Sequence, residues 1–424
     1  MNAQLYKAYV DILHEELLTA MGCTEPIAIA YAAATAREVL GSTPSRMHIF
    51  VSGNIVKNVK SVIVPHTGGL KGIEAAAAAG AVAGRAGEKL EVLSAVTKEQ
   101  LIEIAEYLNT AKISVEESDR GCVFDIEIRA YGGGQSSLVH ITGHHTNIVR
   151  IEKNGVVLLF RDAEGAASQP LTDRGLLNVE SIVEFADAAN LDDVRGVLKR
   201  QIELNTAIAN EGLRGGYGAE IGKILLSSFG CGVQNRAKAM AAAGSDARMS
   251  GCELPVVINS GSGNQGITAS VPVIVYAEEL NAGEDMLYRA LIVSNLVTIH
   301  LKTGVGRLSA YCGAISAGCG AGAGVTYLHG GRYQQIAHTI VNALAINSGV
   351  ICDGAKASCA AKIVSSVEAG LLGMYMYMNG SEFYGGDGIV TKGVENTIRN
   401  VGELASEGMR ETDKKIIRLM LRES

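Results

Sequence analysis

The 424-residue sequence predicts an α+β protein, with N-terminal helices and an α/β domain with a largely antiparallel sheet, followed by an all-helical domain. Three observations lead to this prediction. Hydrophobic residues recur with a helical period near the N-terminus, and they alternate with polar residues between Ile113 and Asp162. Beyond Asp173 the helical period returns and continues almost to the end. Hydrophobic residues form 47% of the chain, which is enough to bury sizeable cores.

The first forty residues predict two helices. Leu5 to Leu40 carries the helical pattern in two pieces, with a break at Met21 to Pro26. Thr24 and Glu25 precede a proline, as expected for an N-cap followed by a proline in the first helical turn. The second helix should therefore begin at this break.

The next segment changes character and predicts a sheet. Met47 to Val64 indicates two strands around a polar loop, Gly53 to Lys60. Helical patterns return at Gly72 to Gly87 and at Lys98 to Thr110. Alternating patterns then predict further strands, with a turn at residues 132–134, at Val123 to Tyr131, Leu138 to Thr142, Thr146 to Lys153 and Val156 to Arg161.

The loop-like segment from Ala163 to Asp173 marks the boundary to a helical domain. The helical pattern of this domain is interrupted only by short segments rich in glycine, at residues 215–218, 259–266 and 385–388. We therefore predict three regions. They are N-terminal helices at residues 1–44 that pack on the helical domain, an α/β domain at 45–165 and an all-helical domain at 174–424.

Composition and charge limit the classes of partner. The chain has 51 glycines, 6 prolines and no tryptophan, so we expect tightly packed helices with small side chains between them. The net charge is −7, and no basic cluster is joined to aromatic residues, so we expect no nucleic-acid partner. No signal peptide or membrane span is predicted. We expect a cytoplasmic protein with a small-molecule substrate, no membrane partner and, because of its Gly/Ala-rich helices, a homodimer.

The eight cysteines carry the clearest chemical signal. Cys312, Cys352 and Cys359 lie in the C-terminal third, and Cys23 precedes a predicted helix. Thiols in a chain without a secretory signal indicate metal or redox chemistry rather than disulfides. Three thiolates and one further thiol suggest an iron–sulfur site.

The spacing of the cysteines favours a cluster over a single ion. On an unbroken helix Cys352 and Cys359 would lie roughly 10 Å apart, which is too far for one zinc ion. A four-iron cluster is wider, and Asp353-Gly354 can unwind the segment. Two buried cysteines on a helix would give the same spacing. Spacing alone also leaves Cys312 and Cys319 equally suitable as a third ligand.

Polar residues elsewhere could bind the substrate. Ser52, Asn54, Lys57 and Asn58 offer a hydroxyl, two amides and a cation that suit a carboxylate, although solvated turn residues would look alike. The polar cluster of His145, Thr146 and Asn147 could orient substrate or base, or could simply initiate a strand. The glycine-rich loop from Asn259 to Gly266, with Asn264, could bind an anion or could be only a turn. Thr67 could continue the substrate-facing surface.

Five segments of the sequence resemble the L-cysteine desulfidase family, formerly an uncharacterised group, which is related to the α-chain of iron–sulfur L-serine dehydratases. The resemblance covers essentially the whole chain in the same order. The segments are Cys23-Thr-Glu-Pro, Ser52-Gly-Asn-Ile-Val-Lys-Asn58, Gly143-His-His-Thr-Asn-Ile148, Ser309-Ala-Tyr-Cys312-Gly and Ile351-Cys-Asp-Gly-Ala-Lys-Ala-Ser-Cys359.

This resemblance implies an oxygen-labile [4Fe-4S] enzyme, independent of pyridoxal phosphate, that eliminates sulfide from L-cysteine. It implies Cys312, Cys352 and Cys359 as cluster ligands and Cys23 as a catalytic residue, and it leaves Cys319 in the core. The interval between Cys352 and Cys359 is shorter than in the serine dehydratases, which counts against a serine substrate.

The implied reaction agrees with the residue types. Three cysteine ligands leave one iron open as a Lewis acid for the departing sulfur. Cys23 precedes a helix N-terminus, where backbone N–H groups favour the thiolate, so it can be the base or a fourth ligand. Lys57 and His145 complete the predicted catalytic set.

Four other functions remain open from the sequence. Gly132 to Ser137 and Lys356 could serve a pyridoxal-phosphate lyase, although a hairpin turn explains the glycines more simply. A non-catalytic iron–sulfur sensor, a structural zinc protein and an L-serine dehydratase with the same cluster are the remaining alternatives.

Overall fold

The computed structural model describes residues 1–161, 171–306 and 308–422. It confirms the predicted α+β class, with N-terminal helices, a mostly antiparallel sheet and a C-terminal helical region. A continuous hydrophobic core extends from Tyr9 in the first helix to Ala405 near the end of the chain. The predicted loop boundary at residues 163–173 lies largely outside the described residues, and the three regions stay a prediction.

The main sheet has six strands in the order β3-β2-β4-β5-β6-β7. Strands β2 and β3 pair in parallel, and every other neighbouring pair is antiparallel. Met47, Ile49 and Val51 of β2 are buried and alternate with more exposed residues, as expected for a half-buried strand. The strands are β2 Arg46–Val51, β3 Lys112–Glu117, β4 Asp125–Gly132, β5 Gln135–Thr142, β6 Ile148–Lys153 and β7 Val156–Phe160.

The two N-terminal helices pack in different places. Tyr6 and Tyr9 of the first helix contact the ring of Phe185 in the helical region. The second helix lies against β4 and β5 of the sheet. The helices of the N-terminal half are α1 Ala3–Glu16, α2 Thr24–Leu40, α3 Gly53–Val59, α4 Ile73–Ala83 and α5 Lys98–Thr110.

The segment after β2 corrects one prediction. The expected loop from Gly53 to Lys60 is helix α3, which buries Ile55 and Val59 one turn apart. The expected strand at Val62 to Val64 is absent from this region of the structure, where Ile63 makes one isolated bridge to Lys71. A short helix without a capping side chain was therefore mistaken for a polar loop.

The helical region is built around α12, which lies between α11 and α14. Glycines on two faces of α12 allow the close approach. A Cβ at Gly318 would lie 2.2 Å from the Ser366 oxygen of α14, and one at Gly320 would lie 2.1 Å from Thr298 Oγ1 of α11. The helices are α6 Val179–Ala188, α7 Arg195–Arg214, α8 Ile221–Phe229, α9 Val233–Met249, α10 Gly263–Glu279, α11 Glu284–Val305, α12 Gly313–Leu328, α13 Tyr333–Ile346, α14 Cys359–Met378, α15 Val394–Glu403 and α16 Arg410–Arg422.

A small second sheet joins the two ends of the fold. Strand β1, Thr19–Met21, pairs antiparallel with β8, Pro255–Val257. The helical patterns on either side concealed both three-residue strands in the sequence. Gly22 follows β1 with φ of +52°, a conformation that favours glycine, and the chain then enters α2 at Cys23. The ribbon therefore brings the start of α2 beside the loop that follows β8.

No helix in the described ranges is both long enough and apolar enough to cross a membrane.

Candidate active site

A buried cavity of about 110 Å³ lies where α2, α3, α9, α10, α12 and α14 meet. It holds four of the eight cysteines together with charged and amide side chains. Its lining residues are Cys23, Glu25, Asn58, His145, Arg248, Ser260, Gly261, Ser262, Asn264, Gln265, Lys302, Leu308, Ser309, Tyr311, Cys312, Gly313, Ala314, Cys352, Gly354, Ala355, Cys359 and Ile363.

Three of these cysteines come from two loop segments and a helix start. Tyr311 and Ile351 form an antiparallel bridge, which places Cys312 opposite Val350 and Cys352 opposite Ala310. Both cysteines flank the bridge on the same face, and their side chains are hydrogen-bonded to each other. Their N–H groups donate to Val350 O at 3.0 Å and to Ala310 O at 2.5 Å. Cys359 is the first residue of α14. Cys352 and Cys359 therefore do not lie on one unbroken helix. Cys352 follows a bridge residue, and Cys359 begins a helix.

The backbone bends sharply between the second and third of these thiols. Gly354 has φ of +94°, a left-handed conformation, and a Cβ there would lie 2.2 Å from the backbone oxygen of Lys57. Glycine is therefore required at this bend. The bend turns the chain so that Cys352 and Cys359 face the same cavity.

The thiols have different proton affinities. A hydrogen bond from Cys312 holds the pKa of Cys352 at about 5, with help from the positive charge of Lys57. The same hydrogen bond, together with burial, raises the pKa of Cys312 well above its usual range. Burial also raises the pKa of Cys359. One thiol of the three is therefore ready to act as a thiolate ligand.

The three thiols of Cys312, Cys352 and Cys359, which line the cavity, are the side chains that could hold a metal group here. Within the described ranges, no three His, Cys, Asp or Glu side chains converge closely enough to hold a single metal ion. A tetrahedral zinc ion would require sulfurs about 2.3 Å from the metal, whereas a [4Fe-4S] cluster binds each thiolate through a separate iron. Cys319 lies apart from this set, buried inside α12, and burial raises its pKa to about 12.

Cys23 occupies the N-cap position of α2, on the side of the cavity formed by the N-terminal segment. Its side chain packs with Val62, Met249 and Cys359, so it lies beside the three-thiol set. Burial, and then the nearby carboxylate of Glu25, raise its pKa well above the usual range. This corrects the expectation that the helix N-terminus would favour a thiolate, because desolvation outweighs the helix dipole.

Glu25 connects several residues of the predicted motifs. Its Oε2 accepts hydrogen bonds from Cys23 Sγ at 3.1 Å and Thr24 Oγ1 at 3.2 Å. Its Oε1 accepts one from Asn58 Nδ2 at 3.3 Å and lies 3.8 Å from His145 Nε2. Burial alone would raise the pKa of Glu25, but interactions with His145 and Cys23 hold it at about 2. A carboxylate therefore links the predicted base Cys23 to the imidazole.

Six predicted residues lie outside the cavity lining. Lys57 Nζ donates to Asp413 Oδ1 at 2.5 Å, so its ammonium points towards α16 instead of a substrate. Asn54 faces a second cavity of about 650 Å³ with an unpartnered Oδ1. Three others donate hydrogen bonds to backbone oxygens: Ser52 to Val123, Thr67 to Val64 and Asn147 to Thr142. Thr146 is partly exposed beside His145.

The structure adds residues that were not singled out from the sequence. Glu25 was interpreted only as part of a helix start, and Tyr311 only as part of a motif. Arg248 lies near the end of an alanine-rich helix. The sequence feature that could have identified it is a charged residue among buried residues with small side chains. Gln265 and Ser260 belong to the predicted anion-binding loop, where Asn264 alone was selected.

Comparison with known proteins identifies the family of the chain. Residues 87–418 match the family described as serine dehydratase alpha chain. This match assigns the protein to the class of iron–sulfur-type dehydratases and lyases. The chain belongs to the serine dehydratase alpha-chain family.

Similar proteins span the whole chain and carry the name UPF0597 protein. One from Desulfitobacterium hafniense is 59% identical over 416 residues, which is 98% of this chain and 97% of the relative. One from Lachnoclostridium phytofermentans is 52% identical over 98% of this chain and 100% of its own length. One from Treponema denticola is 47% identical over 100% of both chains.

Proposed function

We propose that this protein is a [4Fe-4S]-dependent lyase that converts L-cysteine to pyruvate, ammonia and hydrogen sulfide. The observation that carries the proposal is the meeting of four thiols with the Glu25 and His145 pair in one buried cavity. Cys312, Cys352 and Cys359 would hold the cluster. When bound, such a cluster supplies an open iron that acts as a Lewis acid towards the leaving group.

The protein's own residues would remove the Cα proton. The Cys23 thiol donates a hydrogen bond to Glu25, and His145 Nε2 lies on the other side of the same carboxylate, with no hydrogen-bond partner among the described residues. Glu25 is held ionised, so it does not take the thiol proton. We assign the thiol proton of Cys23 to His145 Nε2, which leaves a thiolate to take the Cα proton. Elimination then gives an aminoacrylate, which hydrolyses to pyruvate and ammonia.

Lys57 acts at a distance in this proposal. Its ammonium is paired with Asp413, but its charge helps to lower the pKa of Cys352. Lys57 is therefore a positioning residue that favours the thiolate ligand, and not a group that touches the substrate. This replaces its predicted catalytic role.

A second candidate is L-serine dehydration at the same site, which would release water in place of sulfide. The family match favours it, because the matched family is described as serine dehydratase alpha chain. L-Cysteine and L-serine differ by one atom in the leaving group, and both would give pyruvate.

The test is anaerobic purification and reconstitution, followed by sulfide and pyruvate assays with L-cysteine, L-serine and their D-forms. We expect roughly four irons and four sulfides per chain, as for one cubane cluster. We also expect sulfide and pyruvate in equal amounts from L-cysteine. Pyruvate from L-serine alone would establish the second candidate. Stoichiometric zinc without iron uptake would contradict both, and a borohydride-reducible aldimine would indicate pyridoxal phosphate instead.

Matched cysteine variants sharpen this test. Alanine at Cys312, Cys352 or Cys359 should abolish the cluster, whereas alanine at Cys319, Cys231, Cys252 or Cys122 should preserve it. Cys319→Ala is the closest control, because Cys319 lies seven residues from Cys312 and is also buried.

A further inference from the structure

We infer that Arg248 and Gln265 bind the α-carboxylate and the α-ammonium of an L-α-amino acid, which makes the cavity selective for substrates that carry both groups on one carbon. This inference rests on the proposed amino-acid lyase function and assigns its substrate-recognition residues. Both side chains line the same cavity as the four thiols. Arg248 has no counterpart among the residues predicted from the sequence, and Gln265 lies in the predicted anion-binding loop.

Arg248 is a buried cation with unused hydrogen-bonding capacity. It is 3% exposed, and its Nη1 donates to Asn264 Oδ1 at 3.2 Å. Its Nε is buried without a hydrogen-bond partner among the described residues. Burying a guanidinium is costly unless an anion pairs with it, and a carboxylate matches its planar fork of donors. The missing partner is therefore an anionic group of the ligand.

The fold makes room for this guanidinium. Gly263 is the first residue of α10, and a Cβ there would lie 2.3 Å from Arg248 Nε. Glycine at this position thus lets the guanidinium lie against the start of a 17-residue helix. The helix N-terminus adds backbone N–H groups that favour a negative charge at the same place.

Gln265 supplies the complementary acceptor. It is 6% exposed, and its Oε1 is buried without a hydrogen-bond partner in the described ranges. A side-chain amide oxygen only accepts hydrogen bonds, and an ammonium group only donates them. Gly313 again provides the space, since a Cβ there would lie 2.7 Å from Gln265 Cδ.

These two contacts also define the handedness of the ligand. A carboxylate on Arg248 and an ammonium on Gln265 fix two substituents of the α-carbon, and the thiol side of the cavity fixes the direction of the third. Three fixed directions distinguish the L-form from the D-form.

The test measures binding of L-alanine to the anaerobic, cluster-loaded protein by calorimetry, because L-alanine carries both charged groups and has no leaving group. We expect Arg248→Met to weaken L-alanine binding at least about 10-fold, the scale of a lost hydrogen bond to a charged group. Propionate, which lacks the ammonium, should bind weakly and lose affinity in the same variant. Gln265→Leu should weaken L-alanine binding but leave propionate binding unchanged.

Arg236→Met is the matched control, because Arg236 lies on the same helix, pairs with Glu279 at the surface and is remote from the cavity lining. It should leave L-alanine affinity unchanged. Iron content is measured for every variant. Arg248→Lys keeps the positive charge but loses the planar pair of N–H donors, so it should raise KM more than it lowers kcat.

Unchanged L-alanine affinity in Arg248→Met with native iron content would overturn the inference. If Arg248→Met loses iron, the test is made on the wild-type protein. The inference would be overturned equally if ethylamine or propionate bound to the wild-type protein as tightly as L-alanine does. L-Alanine binding through Arg248 without turnover of L-cysteine or L-serine would refute the proposed function and leave this inference standing.

Discussion

At the scale of single residues, identical thiols acquire different chemistry from their neighbours. Cys352 accepts a hydrogen bond from Cys312 and lies within reach of the positive charge of Lys57, so its pKa falls to about 5. Cys23 is buried and donates a hydrogen bond to a carboxylate, so its pKa rises. Cysteine type alone therefore does not assign a role. Cys352 accepts a hydrogen bond, which favours its thiolate form. Cys23 donates one, which favours its thiol form, so it must lose a proton before it can act as a base.

Cys23→Ser tests this difference. Serine nearly preserves volume but cannot ionise near neutral pH, so the variant should keep its iron and visible absorption. Sulfide release from L-cysteine should fall about 100-fold or more, the scale of a general-base contribution. Iron analysis and sulfide assay measure the two effects. Cys319→Ser, buried outside the cavity lining, should change neither. Loss of the cluster in Cys23→Ser would make Cys23 a ligand, and unchanged turnover would remove it from the mechanism.

The sequence predicted individual thiols better than it predicted the polar residues. The structure brings Cys23 and the three C-terminal cysteines into one cavity, and each of the four lies in a motif that the sequence analysis singles out. Lys57 shows why polar residues are harder. Its neighbour Asn58 faces the cavity while Lys57 faces α16, and this difference follows from α3 being a helix. A loop prediction contains no information about which side chains share a face.

At the scale of secondary-structure elements, the glycines of α12 decide how closely the helices pack. Gly318→Ala would raise intrinsic helix propensity by about 1 kcal/mol, but its Cβ would overlap backbone atoms of α14. We expect a net loss of about 1–3 kcal/mol in the free energy of unfolding, as for overpacked cores. Urea denaturation measures this loss.

Gly196→Ala is the control for this prediction. Gly196 lies in α7, and no atom lies within 4 Å of a Cβ added there. The free energy of unfolding of the variant should therefore stay the same or rise by up to about 1 kcal/mol. An equal effect at both positions would show that helix propensity, and not the contact between α12 and α14, controls stability.

Glu395 joins three helices and gives the fold a pH dependence. It accepts hydrogen bonds from the N–H of Val179 in α6 at 2.8 Å and from His300 of α11 at 2.7 Å. Burial would raise its pKa, but His300 and the N–H of Val179 lower it below the ordinary value of 4.5. A lowered carboxyl pKa stabilises the fold above about pH 4.5, and this stabilisation is lost as the pH falls through the folded-state value.

Glu395→Gln should therefore lower the free energy of unfolding by about 1–2 kcal/mol at pH 7, the scale of hydrogen bonds to a charged group. The difference from the wild-type protein should shrink between pH 5 and pH 3. Denaturation of the iron-free protein at several pH values measures this change, because acid would destroy a cluster in both proteins. A difference that is independent of pH would contradict the assigned role of Glu395.

Element prediction succeeded where periodicity was long and failed where elements were short. The six-strand sheet and the long C-terminal helices follow from repeated patterns. Strands β1 and β8 have three residues each, and their pairing depends on a contact between segments more than 230 residues apart. Such a contact leaves no local pattern. It is nevertheless the contact that places Cys23 at the cavity.

At the scale of the whole molecule, a buried ion pair connects α16, the last helix, to the N-terminal half of the chain. Lys57 on α3 has a side chain that is 1% exposed, and Asp413 on α16 is its partner. The same helix approaches α3 again where Lys60 Nζ donates to Met420 O at 2.6 Å. These contacts cover the part of α3 that lies behind Gly354, at the bend between Cys352 and Cys359.

Asp413→Asn should destabilise the protein by about 3–5 kcal/mol, because it leaves a buried ammonium without its counter-charge. The double variant Lys57→Met, Asp413→Leu should recover most of this loss, since apolar residues can replace a buried pair. Chemical denaturation measures both. Lys414→Ala, at an exposed position beside Asp413, should stay within about 0.5 kcal/mol of the wild-type protein. Equal stability of the double variant and Asp413→Asn would contradict this account.

The ribbon of β1 and β8 has a consequence for biosynthesis. At ~5–20 residues per second, a ribosome needs roughly 12–47 s to proceed from Met21 to its partner Pro255, and longer still to reach Cys359. During that time Cys23 has neither its neighbouring loop nor the thiols that share its cavity. The nascent chain therefore cannot yet enclose the cluster that we propose. Under that proposal, iron and sulfide would enter this cavity only after translation has delivered the final segments, so maturation of the site would follow synthesis of the chain.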